Sequence, residues 1–136
     1  MSASAITKGA HHIGLTVPNI DETRSFFTSV LRFNQVGEVP SYPAVFLSDG
    51  TTMITLWQAA DPQTATPFDR KNVIGLHHFA LKVDDAAVLD QVHNQLNSIP
   101  GVEVEFGPET LGDGPTKHMM CSIPGGIRME LIAPAS

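Results

Sequence analysis

At 136 residues the chain is long enough for one domain, and its 42% hydrophobic content is ordinary for a globular core. A net charge of −6, with 8 Lys and Arg spread thinly, leaves no basic stripe to follow a phosphate backbone or an anionic bilayer, so neither nucleic acid nor a membrane is expected as a partner. The opening residues MSASAITKGA lack the apolar core of a secretory signal, no run reaches the roughly 18 apolar residues of a membrane span, and Cys121 stands alone; these features lead us to expect a cytoplasmic protein without disulfides.

In chain order, the first element is a strand at about 10–17, followed by a turn at Pro18 and a helix over about 20–32. Ile20, Phe27, Val30 and Leu31 share one face of that helix, and Asn19 or Asp21 is placed to cap it. Strands near 34–39, 44–48 and 52–58 follow, with Asp49-Gly50 marking a hairpin between the last two. A loop rich in Asp, Thr and Pro, 59–73, leads to a second series that opens with a strand at 75–83. Asp84 and Asp85 are cap candidates for a helix reaching about 98 and aligned on Leu89, Val92, Leu96 and Ile99. Strands near 101–106, 116–123 and 126–132 complete it, and Gly107 to Pro115 reads as a loop able to act as a lid.

The two series are copies of one another. Residues 11–17 read HHIGLTV and residues 77–83 read HHFALKV, each opening a βαβββ unit. The expected fold is therefore α+β and spans 1–136 as a single domain, with module one at about 10–58, a linker at 59–73 and module two at about 75–134.

Strand alternation assigns the histidines to a face. His12, Gly14 and Thr16 lie opposite Ile13, Leu15 and Val17, whose aliphatic side chains must meet the helix. In the second copy His78, Ala80 and Lys82 lie opposite Phe79, Leu81 and Val83, and in the last strand Glu130 lies opposite Met129 and Leu131. Two imidazoles and one carboxylate on the faces away from the helices form an N and O donor set suited to Fe2+, Mn2+, Ni2+ or Zn2+, and three ligands leave coordination positions open for a substrate. His11 and His77, one residue out of phase, read as structural and turned toward the helix side or the module boundary.

His12 in HHIGLTV, the helix ending FFTSVLRF, His78 in HHFALKV and the closing PGGIRMEL with Glu130 together resemble the vicinal oxygen chelate superfamily, which includes glyoxalases, bleomycin-resistance proteins and extradiol dioxygenases. The resemblance covers almost the whole chain. It implies two βαβββ modules forming a cupped eight-stranded mixed sheet, one divalent metal held by His12, His78 and Glu130, a small-molecule substrate that chelates the metal through oxygen, and a homodimer.

Glyoxalase-like members draw a further carboxylate from the last strand of the first module, but aligning MITLWQ with RMELIA puts Thr55 at that position. Extradiol dioxygenases carry a catalytic Tyr ten residues before the metal Glu, where this chain has Met120. His118, two residues earlier on the same face, is the candidate acid or base. Thr55, Trp57, Lys82, Lys117, Met120 and Arg128 are candidate substrate contacts, with Trp57 suited to stacking and the cations to holding an anionic group. The leading expectation is a metal-dependent isomerase or lyase of glyoxalase-like type. The alternatives are an Fe(II)-dependent ring-cleaving dioxygenase and a non-catalytic antibiotic-binding resistance protein.

Overall fold

A computed structural model describes residues 3–134, so the outermost residues of the expected 1–136 domain lie outside it. The chain forms two compact units divided between Ala60 and Asp61, each an α+β module of βαβββ order.

In the first unit β1 (His12–Val17) is followed by helix α1 (Ile20–Ser25), a π-helical turn (Phe26–Val30), and strands β2 (Asn34–Val39), β3 (Ala44–Ser48) and β4 (Met53–Gln58). The sheet order is β1-β4-β3-β2, with β1 parallel to β4 and the remaining pairs antiparallel. Asn19 caps α1 by accepting from the Glu22 amide at 3.1 Å, which satisfies one of the four free N–H groups of the first turn.

The helix widens into its π turn where two adjacent aromatics, Phe26 and Phe27, are both buried; a regular helix would turn them about 100° apart. Arg32, at φ 63, then stops the helix in the left-handed region, and the Phe33 amide donates back to the Phe27 carbonyl at 2.9 Å. Leu15, Val17, Phe27, Val45, Leu47, Ile54 and Leu56 form the core beneath this helix. The hairpin signal is realised, with the Asp49 carboxylate accepting from the Thr51 and Thr52 amides and Gly50 at φ 97.

The second unit repeats the plan with β5 (Phe79–Lys82), α2 (Ala86–Leu96), β6 (Glu103–Thr110), β7 (Lys117–Ser122) and β8 (Arg128–Ala133), in sheet order β5-β8-β7-β6. Asp85 caps α2 through the Val88 amide at 2.9 Å, and Leu89 and Leu96 are fully buried on the sheet. The eight expected strands are all present, hydrogen-bonded as two four-stranded sheets.

Strand β6 departs from expectation. It runs to Thr110, through the Gly107 and Pro108 that read as the start of a lid loop, because two register shifts opposite β7 absorb the residues that break the alternation. Gly107 lies against His93 of α2, where an added Cβ would come within 2.9 Å of the imidazole Nε2.

Candidate functional site

The expected faces are realised in both modules. On β1, Leu15 and Val17 are buried while His12, Gly14 and Thr16 are exposed, and on β5 Phe79 and Leu81 are buried while Ala80 and Lys82 are exposed. The register also bears out the alignment of the copies: Gly14 pairs with Thr55 as Ala80 pairs with Glu130. Thr55 therefore occupies in module one the place that Glu130 occupies in module two.

Glu130 is the centre of the second module's polar face. Only 9% exposed, it lies on β8 between β5 and β7, with Ala80 and Met120 as its direct neighbours. Its Oε1 is 3.2 Å from His78 Nε2 and its Oε2 is 2.6 Å from His118 Nδ1. His118 pairs with Ile132 across the ladder, so its ring reaches Glu130 on the diagonal. On its other side His118 Nε2 is 3.8 Å from Glu109 Oε1, and the ring packs edge-on to Phe106 with centroids 5.0 Å apart. Strand alternation in the sequence puts His118 on this face; Glu109 falls in the segment that reads as a loop, so alternation gives it no face.

Among the described residues no three His, Cys, Asp or Glu side chains stand in an arrangement that could hold a metal ion. His78 and Glu130, two of the three expected ligands, are nevertheless drawn together as an imidazole nitrogen facing a carboxylate oxygen, a donor pair that suits a first-row divalent metal. His12, the third, belongs to module one, where it is exposed and its Nδ1 lies 3.0 Å from His11 Nδ1. His77 is also exposed. Its ring turns to His78, with the two Nδ1 atoms 2.7 Å apart, rather than to the helix side.

A second polar cluster flanks the first. Glu105 takes two hydrogen bonds from Arg128, at 2.9 and 2.8 Å, and two from Arg70, both at 3.1 Å. The Arg128 hydrogen bonds, helped by the charges of Arg128 and Arg70, hold the Glu105 carboxyl at about 2, below the ordinary 4.5 and against the opposing effect of desolvation. Arg128 is buried and its own proton affinity is raised by the same contact. Phe68, Arg70, Lys71, Asn72, Glu105 and Arg128 line a cavity of about 810 Å³. Sequence reasoning missed Arg70 and Glu105; the acidic residues alternating with Val104 and Phe106 were the available signal.

Of the remaining candidates, Lys82 and Lys117 are exposed, and Met120 is buried directly opposite Glu130. In module one Thr55 is buried and its hydroxyl accepts from the Trp57 indole N–H at 2.9 Å. Gly14 makes room for that pair, since a Cβ there would lie 3.1 Å from Thr55 Oγ1. Trp57 also packs edge-on with Tyr42, centroids 4.8 Å apart, and both line a cavity of about 540 Å³. Burial pushes the Cys121 thiol up to about 12, which leaves it a packing residue with no thiolate to attack or bind metal.

The model of the Glyoxalase/Bleomycin resistance protein/Dioxygenase superfamily matches residues 9–131. The chain belongs to that superfamily. It is 29% identical over 144 residues to a 2-epi-5-epi-valiolone epimerase of Actinomyces sp, an alignment spanning 90% of this chain and 77% of that relative. Among solved structures it is similar to a glyoxylase/bleomycin resistance protein/dioxygenase domain from Frankia sp. EAN1pec, with a TM-score of 0.81, 19% identity, and coverage of 96% of this chain and 94% of the other. It is also similar to a lactoylglutathione lyase from Agrobacterium tumefaciens, with a TM-score of 0.69, 22% identity, and coverage of 95% and 96%. At these identities the structural likenesses establish the fold alone. Superfamily members bind small molecules, and no described helix of this chain is long and apolar enough to cross a membrane.

Proposed function

We propose that the chain is a metal-dependent isomerase of the glyoxalase-like type, which removes and returns a proton at a carbon beside an oxygen-bearing carbon of a small substrate. The observation that carries this reading is Glu130, a nearly buried carboxylate in an apolar strand, shared by His78 on one side and His118 on the other. An isolated buried carboxylate costs several kcal/mol, so partners of opposite charge are required there. His78 and Glu130 would supply two ligands, and His12, at the matching position of module one, is the residue proposed as the third. These residues would hold a divalent ion, Fe2+, Mn2+, Ni2+ or Zn2+, whose chemistry there would be that of a Lewis acid toward a substrate oxygen.

His118 moves the proton. Its Nδ1 is engaged by Glu130, which orients the ring and leaves Nε2 to exchange a proton with substrate, with Glu109 nearby to stabilise the imidazolium. The epimerase relative supports this class, because inverting a stereocentre that bears hydrogen beside a carbonyl is a removal and return of that proton. Trp57 and Thr55 are the proposed apolar and polar contacts for the substrate, and Lys82 and Lys117 its cationic ones, with the protein working as a cytoplasmic homodimer. Met120 opposite Glu130 has no acidic hydrogen, which weighs against ring-cleaving dioxygenase chemistry.

The test is elemental analysis of protein purified without chelator, followed by NMR of α-hydroxy ketones incubated with it in D2O. Stoichiometric metal lost in His78→Ala, and deuterium incorporation lost in His118→Ala with metal retained, are the expected results. Absence of metal, or no exchange in wild type across the panel, would overturn the reading.

A further inference from the structure

The basic residues of this chain are few, and three of them meet in one place. Of 8 Lys and Arg in a protein of net charge −6, Arg70, Lys71 and Arg128 all line the cavity of about 810 Å³ in module two, against the carboxylates of Asp69 and Glu105. The local balance is positive in a molecule whose overall balance is negative, which directs an anion to this cavity.

Both carboxylates are already engaged. Glu105 accepts two hydrogen bonds from each of its guanidinium partners, and the Asp69 carboxylate accepts from the Lys71 amide at 2.9 Å within the turn that carries Arg70. The cations are not spent. Arg70 uses Nη1 alone for both Glu105 oxygens, which leaves Nε and Nη2 as donors without an acceptor among the described residues. Lys71 Nζ likewise has no partner among them.

The sheet fixes the floor beneath these donors. Ser122 of β7 pairs with Glu103 on one side and Arg128 on the other, and Arg128, 9% exposed, holds Glu105 with two nitrogens. Glu105 thereby becomes the anchor that sets Arg70, and the turn bearing it, against β6. Neutralised by two guanidiniums, it orients donors instead of repelling an anion. A cavity of this size takes a whole small molecule rather than one ion, and half-buried Phe68 gives it an apolar wall. We propose that this cavity binds the anionic head, a phosphate or a carboxylate, of a small organic molecule, and that Arg70 and Lys71 grip the head. Arg128 precedes Glu130 by two positions on one face of β8, so the cavity lies beside the proposed centre. Binding in the cavity stands whether or not that centre holds a metal.

The experiment is a titration of 15N-labelled, metal-free protein with glycerol phosphate, glycerate and glycerol at constant ionic strength, following arginine Nε–H and backbone amide resonances. Saturable shifts at Arg70 Nε and the Lys71 amide with at least one of the two anions, and none with glycerol, are expected; the tighter anion identifies the head. An equal response to glycerol, or anion shifts at the exposed Lys82 and Lys117 instead of the cavity, would overturn the proposal. Arg70→Gln leaves Glu105 its two hydrogen bonds from Arg128, so it should fold and bind the anion roughly tenfold more weakly, the scale of one charge-assisted hydrogen bond. Lys71 is exposed, so Lys71→Gln tests the grip without touching the Glu105 cluster and should weaken binding roughly two- to fivefold. Wild-type anion affinity in Arg70→Gln, or in Lys71→Gln should the first variant fail to fold, would overturn the assignment of the grip.

Discussion

Replacing Glu105 by Gln should remove acid sensitivity from the protein along with part of its stability. The folded-state carboxyl is held at about 2, against an ordinary value of 4.5, first by the Arg128 hydrogen bonds and then by the two guanidinium charges. Taken at face value, that difference corresponds to a ceiling of roughly 3 kcal/mol. The Glu105 side chain is 39% exposed, however, so solvent screening reduces the figure to about 1 kcal/mol. Because the carboxyl is more acidic folded than unfolded, the contribution is complete above about pH 4.5 and is lost as the pH falls toward 2. Glu105→Gln also strips the buried Arg128 of its charged partner, adding about 1 to 2 kcal/mol that does not depend on pH in this range. Urea denaturation across the acid range is the assay: wild type should be more stable by about 2 to 3 kcal/mol near neutrality, and the gap should narrow by about 1 kcal/mol toward pH 2. Stability curves that run parallel across that range would refute the account of the cluster.

Other substitutions probe separate parts of the structure. Under the proposed function, Glu130→Gln keeps the shape and one acceptor for His118 but removes the charge, so zinc affinity measured by calorimetry should fall by no less than the roughly 10- to 100-fold of a lost outer-shell partner, while the melting temperature of metal-free protein changes little. Arg32→Gly relieves a left-handed residue at the end of the π turn and should raise stability by about 0.5 to 1 kcal/mol in a denaturant titration. Phe27→Ala, which empties a fully buried site between helix and sheet, should cost about 3 to 5 kcal/mol by the same measurement.

Legibility in the sequence followed how local the determining interaction is. The repeated HHxxLxV pattern carried the strand faces, because alternation is a property of the strand itself, and Leu15, Val17, Phe79 and Leu81 are buried as that pattern requires. The caps Asn19 and Asp85 were legible for the same reason, each acting on an amide three residues away. The reach of β6 was not legible. Its bulges break the period of two at the point where Gly107-Pro108 resembles a turn, and only pairing with β7 carries it through to Thr110. Neither was the π turn, which answers to the packing of both Phe26 and Phe27. The site divides in the same way. That His78, His118 and Glu130 share a face follows from strand phase, whereas the grip of Arg70 and Arg128 on Glu105 joins residues distant in the chain and leaves only a weak trace in the alternation of β6.

The last strands of the two copies differ in charge at two register positions, and one of these differences can be reversed by substitution. Module two has Arg128 and Glu130 where module one has Met53 and Thr55, so the charged groups of the proposed centre are concentrated on one half of the repeat. Thr55→Glu would restore the carboxylate that the resemblance to glyoxalases associates with this strand. Thr55 is buried, and its nearest donor is the Trp57 indole at 2.9 Å, so an ionised Glu there has one neutral hydrogen bond and little water. Without metal the variant should lose about 2 to 4 kcal/mol. Under the proposed function, zinc should return more stability to Thr55→Glu than it gives wild type, since the new carboxylate gains a cation that Trp57 cannot replace. The readout is the zinc-induced shift in melting temperature of the two proteins side by side. A shift no larger in the variant would mean that β4 does not contribute to the centre and that the site belongs to module two.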